Sequence, residues 1–356
     1  MSAKVIQIHG NIPVVSRFRV HHLAEELDLL NVSHAAFTPD QVPFRAHARK
    51  EFLRGARLLI LHRLSYTTIL ERLIDEAREM GMQVLFECDD LIFFPDLDPR
   101  WVHGVTYLSE WEQQEYFIDL HGYAKLLSLC DGAIVSTSFL ATCVHGLGKP
   151  AFVLRNALDR ATIQRSRIDD SGDRGQGPLT ILYASGSRTH DRDFQQFSSA
   201  LQSLLEGNKQ TKLHLLGYLE LDPSWDPYRE QIVRTAFLPY DDYFQLLGKA
   251  TLCLAPLEPE NPFCRAKSEL KFIEAAAWGV PVLATRAGAF AEAIEHGVDG
   301  FLASNTDEQV QVLETITQRP DLACAVGTKA RAKVLRNYTT SARMGDVKAI
   351  LRQTMN

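Results

Sequence analysis

The segment KSELKFIEAAAWG, residues 267–279, sets two lysines and two glutamates on the opening turns of an otherwise apolar run, which then passes through Gly-Val-Pro into a strand-like stretch. Helical spacing places Leu270, Ile273 and Ala277 on one buried stripe and Lys267, Lys271 and Glu274, at i, i+4 and i+7, on the stripe beside it. Lys267 and Ser268 are expected at the helix start. There the free N–H groups of Ser268, Glu269 and Leu270 would join a lysine against a diphosphate, while Glu274, two turns in, reaches vicinal sugar hydroxyls. The commonplace alternative is a solvated Lys–Glu face. The continuation AAAWG is too small and apolar for a helix washed by solvent on all sides.

Three other loci place charged or small residues directly after a strand-like run. ASGSRTHDRDF offers the small-residue turn Ser185-Gly186-Ser187, whose backbone N–H groups and helix dipole would attract a phosphate, with Arg188 and Arg192 adding positive charge. It is neither the GxGxxG fingerprint nor a Walker loop, and an ordinary turn capped by Ser and Asp remains the competing reading. HGNIPVVSRFRVHHL supplies Gly10 for close backbone approach, with Arg17 and Arg19 as acceptor or phosphate contacts. His62 and Arg63 close the strand-like RLLILHRL and point to the same region. Asp89 and Asp90 in ECDDLIFF read as residues that orient a sugar or acceptor, with a metal pair or helix capping as alternatives.

Positioning these groups requires parallel sheets, and the chain supplies them. Short β-rich runs alternate with longer helical patterns in two near-equal sets, the mark of βαβ units. The first set is KVIQIHG, NVSHAAF, RLLILHRL, QVLFECDD, GAIVSTS and PAFVLRN; the second is LTILYASG, TKLHLLGY, IVRTAFLPY, ATLCLAPLE, VPVLATRAG and DGFLAS. The fold class expected is α/β with two Rossmann-like, doubly wound domains facing a central cleft. The expected boundaries are a first domain over 1–159, a polar, glycine-rich linker over 160–178, a second domain over 179–335, and a C-terminal helix over 336–356 that packs back toward the first domain. Ligands of such sheets sit at the carboxyl ends of the strands, where all four loci fall.

Composition narrows the function. A chain of 356 residues with 46% hydrophobic and 23% charged residues builds substantial cores, and a net charge of -6 argues against a general nucleic-acid binder. No apolar run reaches the roughly 18 to 20 residues that span a bilayer, and the opening MSAKVIQIHG lacks signal-peptide regions, so a cytoplasmic location is expected. The six cysteines are scattered without metal spacing and are expected to be reduced.

The stretch ELKFIEAAAWGVPVLATRAGAFAEAIEHGVDGFL resembles the nucleotide-sugar segment of retaining GT-B glycosyltransferases of family 4, the glycosyl transferases group 1, and the resemblance extends over most of the second half. AKSELKFIEAAA is similar to a bacterial branch of surface-polysaccharide and O-antigen biosynthesis; VLFECDDLIFF resembles its Asp-Asp motif and FVLRNALD its Asn-x-x-Asp. The resemblance implies a nucleotide-sugar held mainly by the second domain and a glycan or lipid-linked acceptor held by the first, with peripheral contact at the inner membrane face. It implies Glu274 on the ribose, Arg192 where the family has a diphosphate-binding lysine, and the N–H groups of Ser268, Glu269 and Leu270 on the distal phosphate. Asp89 falls near a cleft histidine of the family. Arg188, Arg192 and Lys267 would stabilise charge growing on the leaving diphosphate, with no metal or other cofactor. One departure stands out: Ala266 replaces the first of the family's two glutamates. Two other readings share the architecture, a sugar-nucleotide epimerase and a nucleotide-sugar-binding protein without catalysis.

Overall fold

The protein, described by a computed structural model for residues 4–10, 16–166, 177–186 and 191–355, contains two six-stranded parallel sheets. The first comprises β1 (Val5–His9), β2 (His34–Phe37), β3 (Leu58–His62), β4 (Gln83–Cys88), β5 (Gly132–Val135) and β6 (Ala151–Val153), in the order β2-β1-β3-β4-β5-β6. The second comprises β7 (Thr180–Ser185), β8 (Lys212–Gly217), β9 (Ile232–Thr235), β10 (Leu252–Ala255), β11 (Val282–Thr285) and β12 (Phe301–Ala303), in the order β12-β11-β10-β7-β8-β9. Every strand-like run named from the sequence forms a strand. Continuous burial of Leu58 to His62 and of Leu252 to Ala255 shows why these central runs are apolar throughout: helices cover both faces.

Local signals set the helix starts. Thr67, Thr137, Asp159, Asn305 and Thr339 each accept a hydrogen bond from the first turn of the helix that follows, and Ser109 closes a capping box with Glu112. The expected linker differs in its first part. Arg160–Arg165 is a short helix capped by Asp159, with Thr162 buried, because the cap satisfies an N–H that apolar periodicity alone would not reveal. Residues 167–176 lie outside the described residues.

The chain crosses between the sheets twice, and the two crossings touch. Leu158 pairs with Thr339 in an isolated parallel bridge, through Leu158 N–H to Tyr338 O and Thr340 N–H to Leu158 O. The final helix, Thr340–Thr354, then lies on the first sheet, where Val347 and Ile350 join Val5, Leu23, Leu27, Leu58 and Ile60 in one apolar layer. Arg343 anchors it with Nε to Glu26 Oε1 at 2.6 Å and Nη2 to Glu26 Oε2 at 2.9 Å, both residues buried, and also donates to Arg155 O.

Removing one partner of a buried pair leaves the other charge uncompensated. Arg343→Ala should therefore cost about 3–5 kcal/mol in urea unfolding, whereas the double change Glu26→Leu/Arg343→Met should recover most of it. Equal losses in the two variants would show that the pair does not anchor this helix.

Candidate functional site

The turn after β1 divides its residues between the domains. It is a π-helical turn, Arg17–His21, a geometry that recurs at functional positions. Phe18 packs into the second domain's cluster with Phe244 and Phe272, and its ring lies 6.1 Å from that of Tyr240. The Arg17 guanidinium sits 4.2 Å over the Tyr240 ring, so this expected acceptor contact faces the second domain. Arg19, expected as another, is instead buried inside the first domain. It donates to Glu87 Oε1 at 2.5 Å, Leu154 O at 2.6 Å and Asn156 Oδ1 at 3.0 Å. Burial opposes ionisation of Glu87, but Arg19 and His62 outweigh it and hold the carboxyl at about 2.

From Asn156 the chain of contacts enters the second domain. Asn156 Nδ2 donates to Ser268 Oγ at 2.8 Å, and Thr137 Oγ1 donates to Ala266 O at 3.2 Å. Arg155 reaches Glu269 at 3.4 Å and Glu292 at 2.7 Å. Ala266 is fully buried in the same apolar cluster as Leu140 and Ala141 of the first domain. A glutamate there would bring an uncompensated charge into that cluster, which accounts for alanine at this position.

The expected helix start is displaced. Pro262–Ala266 and Leu270–Ala277 are separate helices, and Lys267, Ser268 and Glu269 form the break between them, with Lys267 capping the first and Glu269 at the N-cap of the second. The break exists because Lys267 N–H closes on Cys264 O and ends the first helix, while Glu269 O accepts from Phe272 and Ile273. Among the described residues the N–H groups of Ser268, Leu270 and Lys271 have no hydrogen-bond acceptor. The Glu269 N–H, expected on the distal phosphate, turns to its own carboxylate instead. Burial raises the pKa of that carboxyl, and its Oε2 has no partner.

The charged side chains expected on the phosphate occupy one region and partly hold one another. Lys267 Nζ lies 3.1 Å from Asp193 Oδ2, and Asp193 Oδ1 accepts from Glu258 N–H and Cys264 Sγ. Lys271 places its ammonium 4.7 Å over the Tyr183 ring, and burial brings its pKa down to about 8. Arg192 donates to Arg100 O of the first domain at 3.2 Å, while neighbouring Asp191 accepts from Tyr107 Oη at 2.7 Å. Ser185 ends β7 buried and Gly186 is exposed; Ser187 and Arg188 lie outside the described residues. Gly217, at φ 86°, lets Tyr218 N–H reach Ser185 O at 3.1 Å; a Cβ there would stand 2.1 Å from that oxygen.

Glu274 is more enclosed than its expected place in a cleft open to water. It is 6% exposed and receives Tyr240 Oη on Oε1 at 2.8 Å and Tyr243 Oη on Oε2 at 3.1 Å. Burial pushes its pKa to about 7 against the tyrosines, Lys271 and Arg17. The helix buries every residue from Phe272 to Ala277, because the Trp278 ring stacks on Phe244 at 4.0 Å on one side and the sheet lies on another. Leu270, assigned from the sequence to the buried stripe, is only half-buried.

In the first domain Arg63 holds both aspartates, with Nη1 2.9 Å from Asp89 Oδ1 and 2.7 Å from Asp90 Oδ2. Its backbone adopts φ 45°, which a non-glycine residue sustains only when its surroundings enforce it. Here Arg63 N–H to Glu87 O at 2.9 Å and the two aspartates do so. Burial and then Asp90 raise the pKa of Asp89. Gly10 lies beside them, its N–H on His62 O. Among the described residues no three His, Cys, Asp or Glu side chains gather as a metal site, and no helix is long and apolar enough to cross a membrane.

Sequence reasoning missed Tyr240 and Tyr243 on Glu274, Arg155 on Glu269, and an exposed aromatic pair. Tyr218 and Phe237, just past β8 and β9 with rings stacked 6.3 Å apart, are both about half exposed at the carboxyl ends of the second sheet. The Tyr240 and Tyr243 spacing in PYDDYF, one turn of helix, is the signal that could have paired them with a buried carboxylate.

Comparison with known proteins agrees with this architecture. Residues 191–349 match the family described as Glycosyl transferase-like. The structure is similar to that of Anabaena HepE in complex with UDP, at 15% identity and TM-score 0.61 over 98% of this chain and all of that one. It is similar to a glycosyltransferase from Rickettsia africae, at 13% identity and TM-score 0.65 over the full length of both. It is also similar to a putative UDP-N-acetylglucosamine 2-epimerase from Listeria monocytogenes, at 12% identity and TM-score 0.55 over 99% of this chain and 96% of that one. No curated protein sequence matches the chain. The two Rossmann-like domains are those of the GT-B fold, and the residues similar to the glycosyl transferase-like family cover most of the second domain and much of the final helix.

The Glu274 carboxyl has a sign that stability measurements can read. The folded chain keeps its proton up to about 7, while the unfolded chain releases it near 4.5, so the contribution is complete below 4.5 and is lost as pH rises to 7. Unfolding free energy should fall across that window by on the order of 3 kcal/mol from this group, and Glu274→Gln should flatten the fall. An identical pH profile for both proteins would place the proton elsewhere.

Proposed function

We propose that the protein is a glycosyltransferase that takes a sugar from a nucleoside-diphosphate sugar and passes it, with retention of configuration, to a glycan or lipid-linked acceptor in the cytoplasm. The observation that carries this reading is the open start of Leu270–Ala277. N–H groups of Ser268, Leu270 and Lys271 without acceptors stand beside Lys267 and Lys271, with Glu274 two turns behind, in the region that matches a glycosyl transferase-like family. Helix N-termini with nearby cations are made for phosphate.

In this reading the diphosphate lies across those N–H groups. Lys267 turns from Asp193 to the phosphates, a small movement for a flexible ammonium, and Arg192 adds charge from the neighbouring turn. As the bond between sugar and diphosphate breaks, negative charge grows on the phosphates. Fixed N–H groups and lysines then favour the transition state over the ground state. Glu274, held in place by two tyrosines, accepts from the ribose hydroxyls, and the Tyr218–Phe237 pair offers an exposed aromatic surface for the base. Asp89 faces the sugar or acceptor from the first domain, and the chemistry needs no metal because cationic side chains take its place. An epimerase would need free carboxylates for proton transfer, and the pairing of Asp89 and Asp90 with Arg63 disfavours that reading.

A thermal-shift series with UDP, GDP, ADP, dTDP and CMP tests the proposal. One nucleoside diphosphate at 100 times its dissociation constant should add roughly 2.7 kcal/mol of stability, unchanged by EDTA. Lys267→Ala should weaken the diphosphate far more than the corresponding monophosphate. No stabilisation by any nucleotide, or loss of the effect on chelation, would contradict the reading.

A further inference from the structure

The first sheet carries a polar cluster that diphosphate binding does not use. On one face of β1, β3 and β4, Val5, Leu58, Ile60 and Leu85 belong to the apolar layer beneath Leu23, Leu27, Val347 and Ile350. The next residues along that face are Gln7, His9, His62 and Glu87, so the layer turns polar toward the carboxyl ends of the strands. This happens at the switch point of the sheet. β1 lies between β2 and β3, so successive crossovers leave in opposite directions and a crevice opens between β1 and β3. His9 and His62 are register partners across that gap.

The cluster fixes one imidazole. Glu87 is ionised and can only accept, so the hydrogen it shares with His62 Nδ1 belongs to the ring. In the neutral ring Nε2 is then a hydrogen-bond acceptor. Arg19, 2.5 Å from Glu87, holds the carboxylate from the other side. His62 Nε2 makes no hydrogen bond among the described residues, and it is not one of the sealed orphan atoms, which include Gln7 Nε2 and Arg19 Nη2. The cluster thus presents one accepting nitrogen, on an imidazole that keeps only 2% of its surface exposed, while the unpaired N–H groups of Gln7 and Arg19 are sealed away from any ligand. A hydroxyl can donate to that nitrogen; a carboxylate or phosphate would meet the Nε2 lone pair with repulsion.

We propose that His62, its ring oriented by Glu87 and Arg19, is a hydroxyl-binding residue of the first-domain crevice, accepting a hydrogen bond from a sugar hydroxyl through Nε2. Assigning that hydroxyl to the acceptor sugar rests on the glycosyltransferase reading above. His62 touches the substrate, and Glu87 is a positioning residue. Because Arg19 also holds Asn156, which holds Ser268, the same contacts tie the hydroxyl site to the start of Leu270–Ala277.

Long-range proton–nitrogen spectra of the full chain should show His62 as the Nδ1–H tautomer, and Glu87→Gln should convert it to a mixture. Methyl α-glucopyranoside and methyl α-galactopyranoside, titrated in the presence of UDP, should perturb the His62 Nε2 resonance. His62→Phe should weaken the glycoside that binds at least tenfold while the UDP dissociation constant stays within twofold, and His62→Gln, whose amide oxygen still accepts, should recover part of the loss. Absence of glycoside binding, equal affinity in wild type and His62→Phe, or an unperturbed His62 resonance in the wild type would overturn the proposal. If UDP fails to bind while the glycosides still perturb His62, the hydroxyl site stands and the glycosyltransferase reading falls.

Discussion

Arg19 is bonded at once to Glu87, Leu154 O and Asn156, and through Asn156 it reaches Ser268 on the other domain. This buried cation is the constraint on which the arrangement of the two domains turns. A guanidinium removed from water must keep its partners, and those partners come from the end of β4, the segment after β6 and, one step further, the break before Leu270. Arg155 repeats the pattern one residue earlier, tying Glu269 and Glu292 to the first domain. Polar contacts of this kind are directional. They fix the distance and angle at which the second domain presents the start of Leu270–Ala277, which apolar contact alone would leave free to slide.

Around that start three charged side chains gather. Lys267 rests on Asp193, Lys271 is held with its pKa down at about 8, and Glu274 is held near 7 by burial against two tyrosines. Lys271 and Glu274 are thus held toward their neutral forms. A diphosphate set against the free N–H groups would favour the charged Lys271, and ribose hydroxyls would favour the charged Glu274, so a ligand relieves in one step what folding has imposed on these two side chains. The buried Ala266 belongs to the same logic, because it lets the domain boundary close over Thr137 without another carboxylate.

The twelve strands were legible because apolar runs bounded by glycine, proline and polar turns leave few other structures open, and each observed strand lies within the stretch the sequence marked. Two doubly wound domains follow from their alternation with helices, and the GT-B arrangement from the resemblance of the second half. The cluster of Lys267, Ser268, Lys271 and Glu274 was legible as a group, since helical spacing brings them together whether the helix starts at 267 or at 270. What was not legible depends on partners far away in sequence. Nothing near Arg19 distinguishes a cleft arginine from a buried one until Glu87, 68 positions on, closes on it. Glu274 looked open to water because Tyr240 and Tyr243 belong to another helix, and the Glu269 N–H looked free because its own carboxylate folds back on it.

The central claim is that the break between Ala266 and Leu270, held by Asn156 and Arg155, is the phosphate-binding element. The most direct measurement is a crystal structure of the protein with UDP. The account predicts the distal phosphate within hydrogen-bond distance of the Ser268 and Leu270 N–H groups, with Lys267 turned away from Asp193 and the Asn156–Ser268 contact intact. A diphosphate bound elsewhere, with Lys267 still on Asp193 and those N–H groups facing only solvent, would contradict it.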